Sequence, residues 1–346
     1  MNWVRKDGGA QIQRAGVQMS SMNHGGTVKD WPWSGGQDMV PDTLCSASNL
    51  PRISIVTPSF NQADFIEETI LSVLGQNYPK LEYIVMDGGS TDRSAEIIRR
   101  YESRLTFWIS EKDRGQSHAI NKGLARCTGD IFNWINSDDL LLPGALWTVA
   151  GAWRRTPGRI ISGHTEFFNA TGTFDVMKAG NQTLKNFVRF WECDHLGWAQ
   201  QGTFLPRAEL QALAGVREDL KYCMDYHMMV QLLARGLEVS YVDERLGKFR
   251  FHGASKTVGA TEQFRLERVP TLRGMTGLPV AVSGAEWDEQ QARRLVDVAK
   301  HAWKRGGHGQ ALKFLGEAMA TSPRGVCAEV GSRLRNKWRR APMISK

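Results

Sequence analysis

Apolar and polar positions between residues 53 and 135 switch repeatedly between a period of two and a period near 3.6. Ile53-Ser54-Ile55-Val56-Thr57 alternates as a strand does and stops at Pro58. Ile66, Ile70, Val73 and Leu74 then recur at helical spacing. Leu81 to Met86 reads as a second strand, Ala95, Ile97, Ile98 and Tyr101 as a helix, and Leu105 to Ile109 as a third strand. A third helix follows from Ala119 to Ala125, and the apolar run Ile131 to Ile135, between Gly129 and Pro143, is the fourth strand. This β-α-β-α-β-α-β order predicts an α/β fold: a mostly parallel open sheet, right-handed crossovers and flanking helices.

Each predicted strand ends in a polar or small cluster: Thr57-Pro58-Ser59, Asp87-Gly88-Gly89-Ser90, Glu111-Lys112-Asp113-Arg114-Gly115-Gln116 and Asn136-Ser137-Asp138-Asp139. In a parallel sheet these clusters share the carboxyl edge, where open α/β folds bind their ligands. Hydroxyls, several carboxylates and a guanidinium on one edge predict a ligand site. The adjacent Asp138 and Asp139 repel each other unless a cation lies between them, and a hard divalent ion suits two such oxygens. Taken alone, the same pair also reads as a solvated loop with an acidic helix cap.

Further along, Asp225 precedes a helical pattern carrying Met229, Leu232 and Leu233, where a cap is one role open to it. Phe249-Arg250-Phe251-His252 follows a strand predicted over Glu238 to Val242, and Lys256 adds charge to the same loop. Trp198-Ala199-Gln200-Gln201 reads equally as an edge strand with a core Trp or as a surface for sugar hydroxyls.

Composition narrows the class. A chain of 346 residues with 41% hydrophobic content can bury one large core and a small appendage. No apolar run approaches the roughly twenty residues of a membrane span, and Met1 to Lys6 lacks a signal-peptide pattern, so a cytoplasmic protein is expected. Five cysteines without Cys-x-x-Cys spacing indicate neither a disulfide framework nor a zinc site. The formal charge of +8 suits an anionic substrate, an anionic membrane or nucleic acid, but no basic-aromatic groove accompanies the motifs, which disfavours nucleic acid. Between Arg333 and Lys346 stand six Lys/Arg and no acid, and Val326, Val330, Leu334 and Trp338 recur every fourth residue. That pattern fits an amphipathic helix on the anionic inner face of the cell membrane, or a basic helix packed on its own domain. The expected organisation is a flexible arm over 1–28, a catalytic domain over 29–257, a linker over 258–285, a helical hairpin resembling a tetratricopeptide unit over 286–323 and a basic amphipathic tail over 324–346.

Val56-Thr57-Pro58-Ser59-Phe60-Asn61, Val85-Met86-Asp87-Gly88-Gly89-Ser90-Thr91-Asp92, Asp113-Arg114-Gly115-Gln116-Ser117 and Asn136-Ser137-Asp138-Asp139 together resemble the family 2 glycosyltransferases. The resemblance runs from about Trp31 to Thr257, and Trp31-Pro32-Trp33 is similar to a segment that precedes such domains. It implies a GT-A fold and an inverting, metal-dependent hexosyltransferase that takes a nucleotide-sugar with Mn2+ or Mg2+, in surface polysaccharide or glycolipid synthesis. By the same resemblance, Thr57, Ser59 and Asp87 hold the nucleoside, and Arg114 and Gln116 support the ribose or diphosphate. Asp138 and Asp139 carry the metal and ribose, His252 meets the diphosphate or the metal, and Asp225 is the catalytic base. The Trp198 segment lines the acceptor side, with a saccharide or lipid-linked acceptor. Two positions depart from the usual pattern: Asn136 stands where an acid often opens the metal motif, and His118 where an acid commonly follows the serine. A nucleotidyltransferase is the rival enzyme, but Thr57 to Gln62 has neither the Gly-rich loop nor the basic residue that class needs. A catalytically silent membrane scaffold is the rival from another class.

Overall fold

The computed structural model describes residues 49–253, 255 and 261–338. The expected arm over 1–28, the Trp31-Pro32-Trp33 segment, Lys256, Thr257 and the tail beyond 338 lie outside the described residues.

Four strands form the predicted parallel unit: β1 (Ile53–Ser59), β2 (Leu81–Asp87), β3 (Phe107–Ser110) and β4 (Ile131–Trp134), in the spatial order β3-β2-β1-β4. The crossovers run through α1 (Ile66–Leu74), α2 (Ser94–Arg99) and α3 (Gln116–Leu124). Strand β1 is buried along its whole length, as a strand covered on both faces must be, and its side chains alternate between two cores. Val56, Ile84 and Phe132 join one core, and Ile55, Val85 and Ile131 the other. Gly123 allows α3 to lie close on β1, since a Cβ there would stand 2.6 Å from Val56 Cγ1.

The sheet continues from β4 through β8 (Thr203–Pro206), which is antiparallel to it, then β6 (Ile160–Asn169), β9 (Val239–Arg250) and β5 (Leu140–Leu141), with β7 (Gly172–Met177) paired to β6. Helices α4 (Ala145–Arg155), α5 (Leu184–Val188), α6 (Arg207–Ala212) and α7 (Met224–Ala234) accompany this half. Strand β9 extends well past the predicted Val242. Its end pairs with β5, Leu140 opposite Lys248 and Leu141 opposite Gly247, which carries the residues after Arg250 to the turn at Asp138.

The stretch 258–285, expected as a linker, contains a helix, α8 (Thr261–Arg273). Beyond it α9 (Gly284–Lys304) and α10 (His308–Thr321) make the expected helical pair around Ala292, Leu295, Val296 and Ala318. A capping box opens α9: Glu286 N donates to Ser283 Oγ at 3.2 Å, and Ser283 N donates to Glu286 Oε2 at 2.9 Å. The pair docks on the sheet-bearing unit through Trp287, whose ring lies edge-on to Trp191 with centroids 5.4 Å apart, and through Arg189 on Glu286. The start of the expected tail is a helix, α11 (Pro323–Trp338), packed on α9. A Cβ on Gly325 would stand 2.7 Å from Glu289 O, and Val326 packs into the small core of the pair. No described helix is long and apolar enough to cross a membrane.

Candidate active site

The parallel register places Ser59 opposite Asp87 and Asp87 opposite Ser110, so three polar residues stand in a row at the ends of β1, β2 and β3. Asp87 is fully buried in this row. Ser90 Oγ donates to its Oδ1 at 2.6 Å, and Ser90 N and Ser110 Oγ donate to its Oδ2 at 2.9 and 2.6 Å. Ser59 is 4% exposed and its hydroxyl has no hydrogen-bond partner among the described residues, which leaves a buried polar group for a ligand to satisfy. Thr57 is fully buried, with its hydroxyl 3.0 Å from Tyr83 OH in a contact that braces β1 against β2.

The loops after β1 and β2 are laced together. Asn61 adopts a left-handed φ of 51°, its N–H donates to Ser90 Oγ at 2.8 Å, and its Oδ1 accepts from Thr91 N at 2.8 Å. Ala63 N donates to Asp92 Oδ2 at 3.0 Å. The glycines of this segment answer to space: a Cβ on Gly88 would stand 2.8 Å from Asp113 Oδ2.

Arg114 turns outward, its guanidinium donating to Glu218 Oε2 at 3.0 and 2.7 Å. Burial pushes the Glu218 carboxyl up, but the hydrogen bonds from Arg114 and Asn121 outweigh it and hold the group below the usual range. This pair ties the loop after β3 to the segment leading into α7. Gln116 instead points along the edge, with Nε2 donating to Asn136 Oδ1 at 2.7 Å.

The two adjacent aspartates part company. Asp139 is fully buried and receives Arg250 N at 3.0 Å, Gln201 Nε2 at 2.8 Å and Asn136 Nδ2 at 3.0 Å. Burial, and then the neighbouring Asp138 charge, push its carboxyl well above the ordinary range against those hydrogen bonds. Both Asp139 oxygens are engaged inside the protein, at the position where the sequence reading expected a share of the metal and ribose. Asp138 faces the other way, 18% exposed at the side chain, with Oδ2 at 2.9 Å from His252 Nε2. His252 rests on Phe65, ring centroids 4.6 Å apart. Arg250, which the sequence offered as charge for the same loop, is tied down: Nε donates to Asp138 O at 2.8 Å, Nη2 pairs with Glu68, and the guanidinium lies 4.4 Å over the Phe168 ring.

Asp225 stands half-buried in the first turn of α7, its Oδ1 accepting from Tyr226 N at 2.7 Å. Its neighbour Met224 contacts α3, with Sδ at 2.6 Å from Ser117 Oγ, which puts the start of α7 beside Gln116. The glutamines after Trp198 are wired inward: Gln200 Nε2 donates to Asn133 Oδ1 at 2.7 Å and Trp134 O at 2.6 Å, and Gln201 holds Asp139. Trp198 packs on Phe187 and Tyr226 in the core. Among the described residues no three His, Cys, Asp or Glu side chains form a metal-binding group. The sequence reading omitted Ser110 and gave no internal role to Ser90 on Asp87 or to Asn136 and Gln201 on Asp139. For Ser110, the strand register was the available signal.

Comparison with known proteins bears on the family and the fold. Residues 54–202 match the model for glycosyl transferase family 2. The putative teichuronic acid biosynthesis glycosyltransferase TuaG of Bacillus subtilis (strain 168) is 39% identical over 92 residues, 26% of this chain and 36% of TuaG, so the match spans little more than a third of that relative. The uncharacterized glycosyltransferase RT0329 of Rickettsia typhi is 26% identical over 218 residues, 62% of this chain and 68% of that protein. The crystal structure of S. aureus TarS 1-349 in complex with UDP-GlcNAc superimposes with a TM-score of 0.57 at 18% identity, covering 82% of this chain and 85% of that one. The shared fold is the GT-A-type open sheet.

Proposed function

We propose that this chain, whose residues 54–202 match glycosyl transferase family 2, moves a sugar from a nucleotide-sugar to an acceptor hydroxyl with inversion at the anomeric carbon. The observation that carries the reading is the pair Asp138 and His252, 2.9 Å apart and partly exposed, on the same sheet edge as the unsatisfied Ser59 hydroxyl. Ser59 and the Asp87 carboxylate, held ready by its two serines, would take the nucleoside. Gln116 would support the ribose or diphosphate, and Arg114 would do so on leaving Glu218.

A carboxylate oxygen and an imidazole nitrogen would suit a divalent ion that also takes phosphate oxygens, although the nitrogen departs from the all-oxygen sites usual for Mg2+. Asp138 and His252 would hold it, and when bound it supplies positive charge to the departing diphosphate. Asp225 receives the acceptor's hydroxyl proton as that oxygen bonds to the anomeric carbon and the bond to the diphosphate breaks. The likeness to TuaG, a putative teichuronic acid biosynthesis glycosyltransferase, and to the O-antigen biosynthesis protein RfbC of Myxococcus xanthus supports a surface polysaccharide or glycolipid as the product class.

The test is release of nucleoside diphosphate from a panel of nucleotide-sugars by the purified chain, with and without Mn2+ or Mg2+ and with candidate saccharide or lipid-linked acceptors. Release that depends on Asp138 supports the reading. Neither binding nor turnover of any donor would leave the silent scaffold as the better account.

A further inference from the structure

Helix α7, which carries Asp225 in its first turn, begins at Cys223 with no side-chain cap of its own among the described residues. The amides ahead of it converge on a carboxylate that arrives from α8. Lys221 N donates to Glu267 Oε1 at 3.0 Å, and Tyr222 N and Cys223 N donate to Glu267 Oε2 at 2.7 Å each. Three successive N–H groups on one carboxylate make an anion nest at a helix N-terminus, where the aligned peptide dipoles also favour negative charge.

The next residue of α8 packs on Tyr226, the residue that follows Asp225. Arg268 is 2% exposed, its guanidinium 3.6 Å from the Phe190 ring centroid and 5.5 Å from that of Tyr226. Tyr226 in turn donates its hydroxyl to Phe187 O at 2.7 Å. Glu267 therefore fixes residues 221–223 and Arg268 underlies residue 226, with Asp225 between them. Both come from a helix outside the residues that match the family model.

We infer that Glu267 is a positioning residue for Asp225, and that α8 makes the C-terminal extension part of the apparatus for proton removal. The inference rests on the reading of Asp225 as the base. A base must stand within hydrogen-bond reach of the proton it takes, and a displacement of about 1 Å costs on the order of 10²-fold in rate. Lys221 is exposed and Tyr222 and Glu267 are partly exposed, so water can replace Glu267 at the outer amides and α7 can survive its loss. What is lost is the fixed height of the first turn. The donor contacts Ser59, Asp87, Asp138 and His252 lie on other elements and do not depend on it.

The experiment compares Glu267→Ala, Glu267→Gln and Asp225→Asn in the full chain. Donor Kd and the number of donor-binding sites are measured by calorimetry, and kcat for transfer is expressed per donor-binding site. The expected result for Glu267→Ala is a kcat lower by about 10-fold or more with donor Kd within about 2-fold of the parent, and an intermediate kcat for Glu267→Gln, which keeps one accepting oxygen. A merely structural role would reduce the number of donor-binding sites and leave kcat per site unchanged, and that result overturns the proposal. If Glu267→Ala does not fold, Glu267→Gln is read by the same criterion. Asp225→Asn separates the two readings. An inactive Asp225→Asn beside a normal Glu267→Ala refutes the positioning role alone, whereas a fully active Asp225→Asn refutes the base assignment and the positioning role with it.

Discussion

His252 Nε2 lies 2.9 Å from Asp138 Oδ2, a contact between side chains 114 positions apart in the chain. It joins the end of β9 to the acidic turn after β4, the place that the proposed function gives to the diphosphate end of a donor. Asp138→Ala is expected to remove the manganese-dependent part of UDP affinity while the fold persists, because the side chain reaches solvent and the buried anchor of the turn is Asp139. Calorimetric titration of UDP with and without manganese checks this. Unchanged metal dependence in the variant would sink the assignment.

Asp225→Asn keeps the shape of the first turn of α7 and removes the proton acceptor. Donor affinity should stay near the parent value while turnover falls on the order of 10²-fold or more. Turnover close to the parent would reduce Asp225 to a part of the helix start and move the search for the base elsewhere.

Asp139→Ala should act on stability. It leaves Arg250 N, the Gln201 amide and the Asn136 amide without their acceptor inside the protein. The expected loss is roughly 2–4 kcal/mol, the scale of a broken buried polar network. Urea unfolding at neutral pH measures it, and a loss well below about 1 kcal/mol would mean that the network is replaced by water at little cost.

Hydrogen bonds from Ser283, and then Arg189, hold the Glu286 carboxyl down to about 2 from an ordinary 4.5. A folded value below the unfolded one gives stability that is fully present above about pH 4.5 and is lost as pH falls toward 2. Glu286→Gln should therefore melt below the parent near neutral pH, and the gap should close with acidification through that window. Melting curves of the two proteins across the window decide it; a gap that stays constant would detach the effect from ionisation.

Deleting residues 331–346 should leave the Val326 contact on α9 in place while removing the basic stretch. Each Lys or Arg near an anionic leaflet is worth about 1 kcal/mol, so salt-sensitive, reversible binding is expected for the full chain and loss of it for the truncation. Sedimentation with anionic vesicles at low and high salt is the measurement. Equal pelleting of both forms would reject the tail as an anchor.

The first half of the fold was legible because its strands are buried on both faces and its helices on one, so burial writes two clear periods into residues 53–135. The second half was not. Strand β9 combines exposed Asp243, Glu244 and Arg245 with buried Leu246, and its pairing with β6 shifts register, so no regular alternation survives. Helix α8 reads Thr-Glu-Gln-Phe-Arg-Leu-Glu-Arg-Val-Pro, with charges on its buried side and Pro270 within it, and so resembled a linker. Charge pattern alone could not separate Asp138 from Asp139 either. Which carboxylate turns inward depends on Arg250 and Gln201, which no local spacing connects to them.

The closure of β9 onto β5 has a consequence for how the protein reaches its working form. The row Ser59, Asp87 and Ser110 is complete once residues 53–110 have paired, but His252 arrives at Asp138 when β9 docks, and Glu267 reaches α7 later still along the chain. During synthesis a nascent chain would thus hold the row of Ser59, Asp87 and Ser110 before it owns either the Asp138–His252 contact or the carboxylate that holds residues 221–223. Contacts spanning such sequence separations carry a loop-closure cost that slows their formation. The slow step of maturation should then be the arrival of β9, and refolding followed through donor binding should lag behind refolding followed through the helical signal.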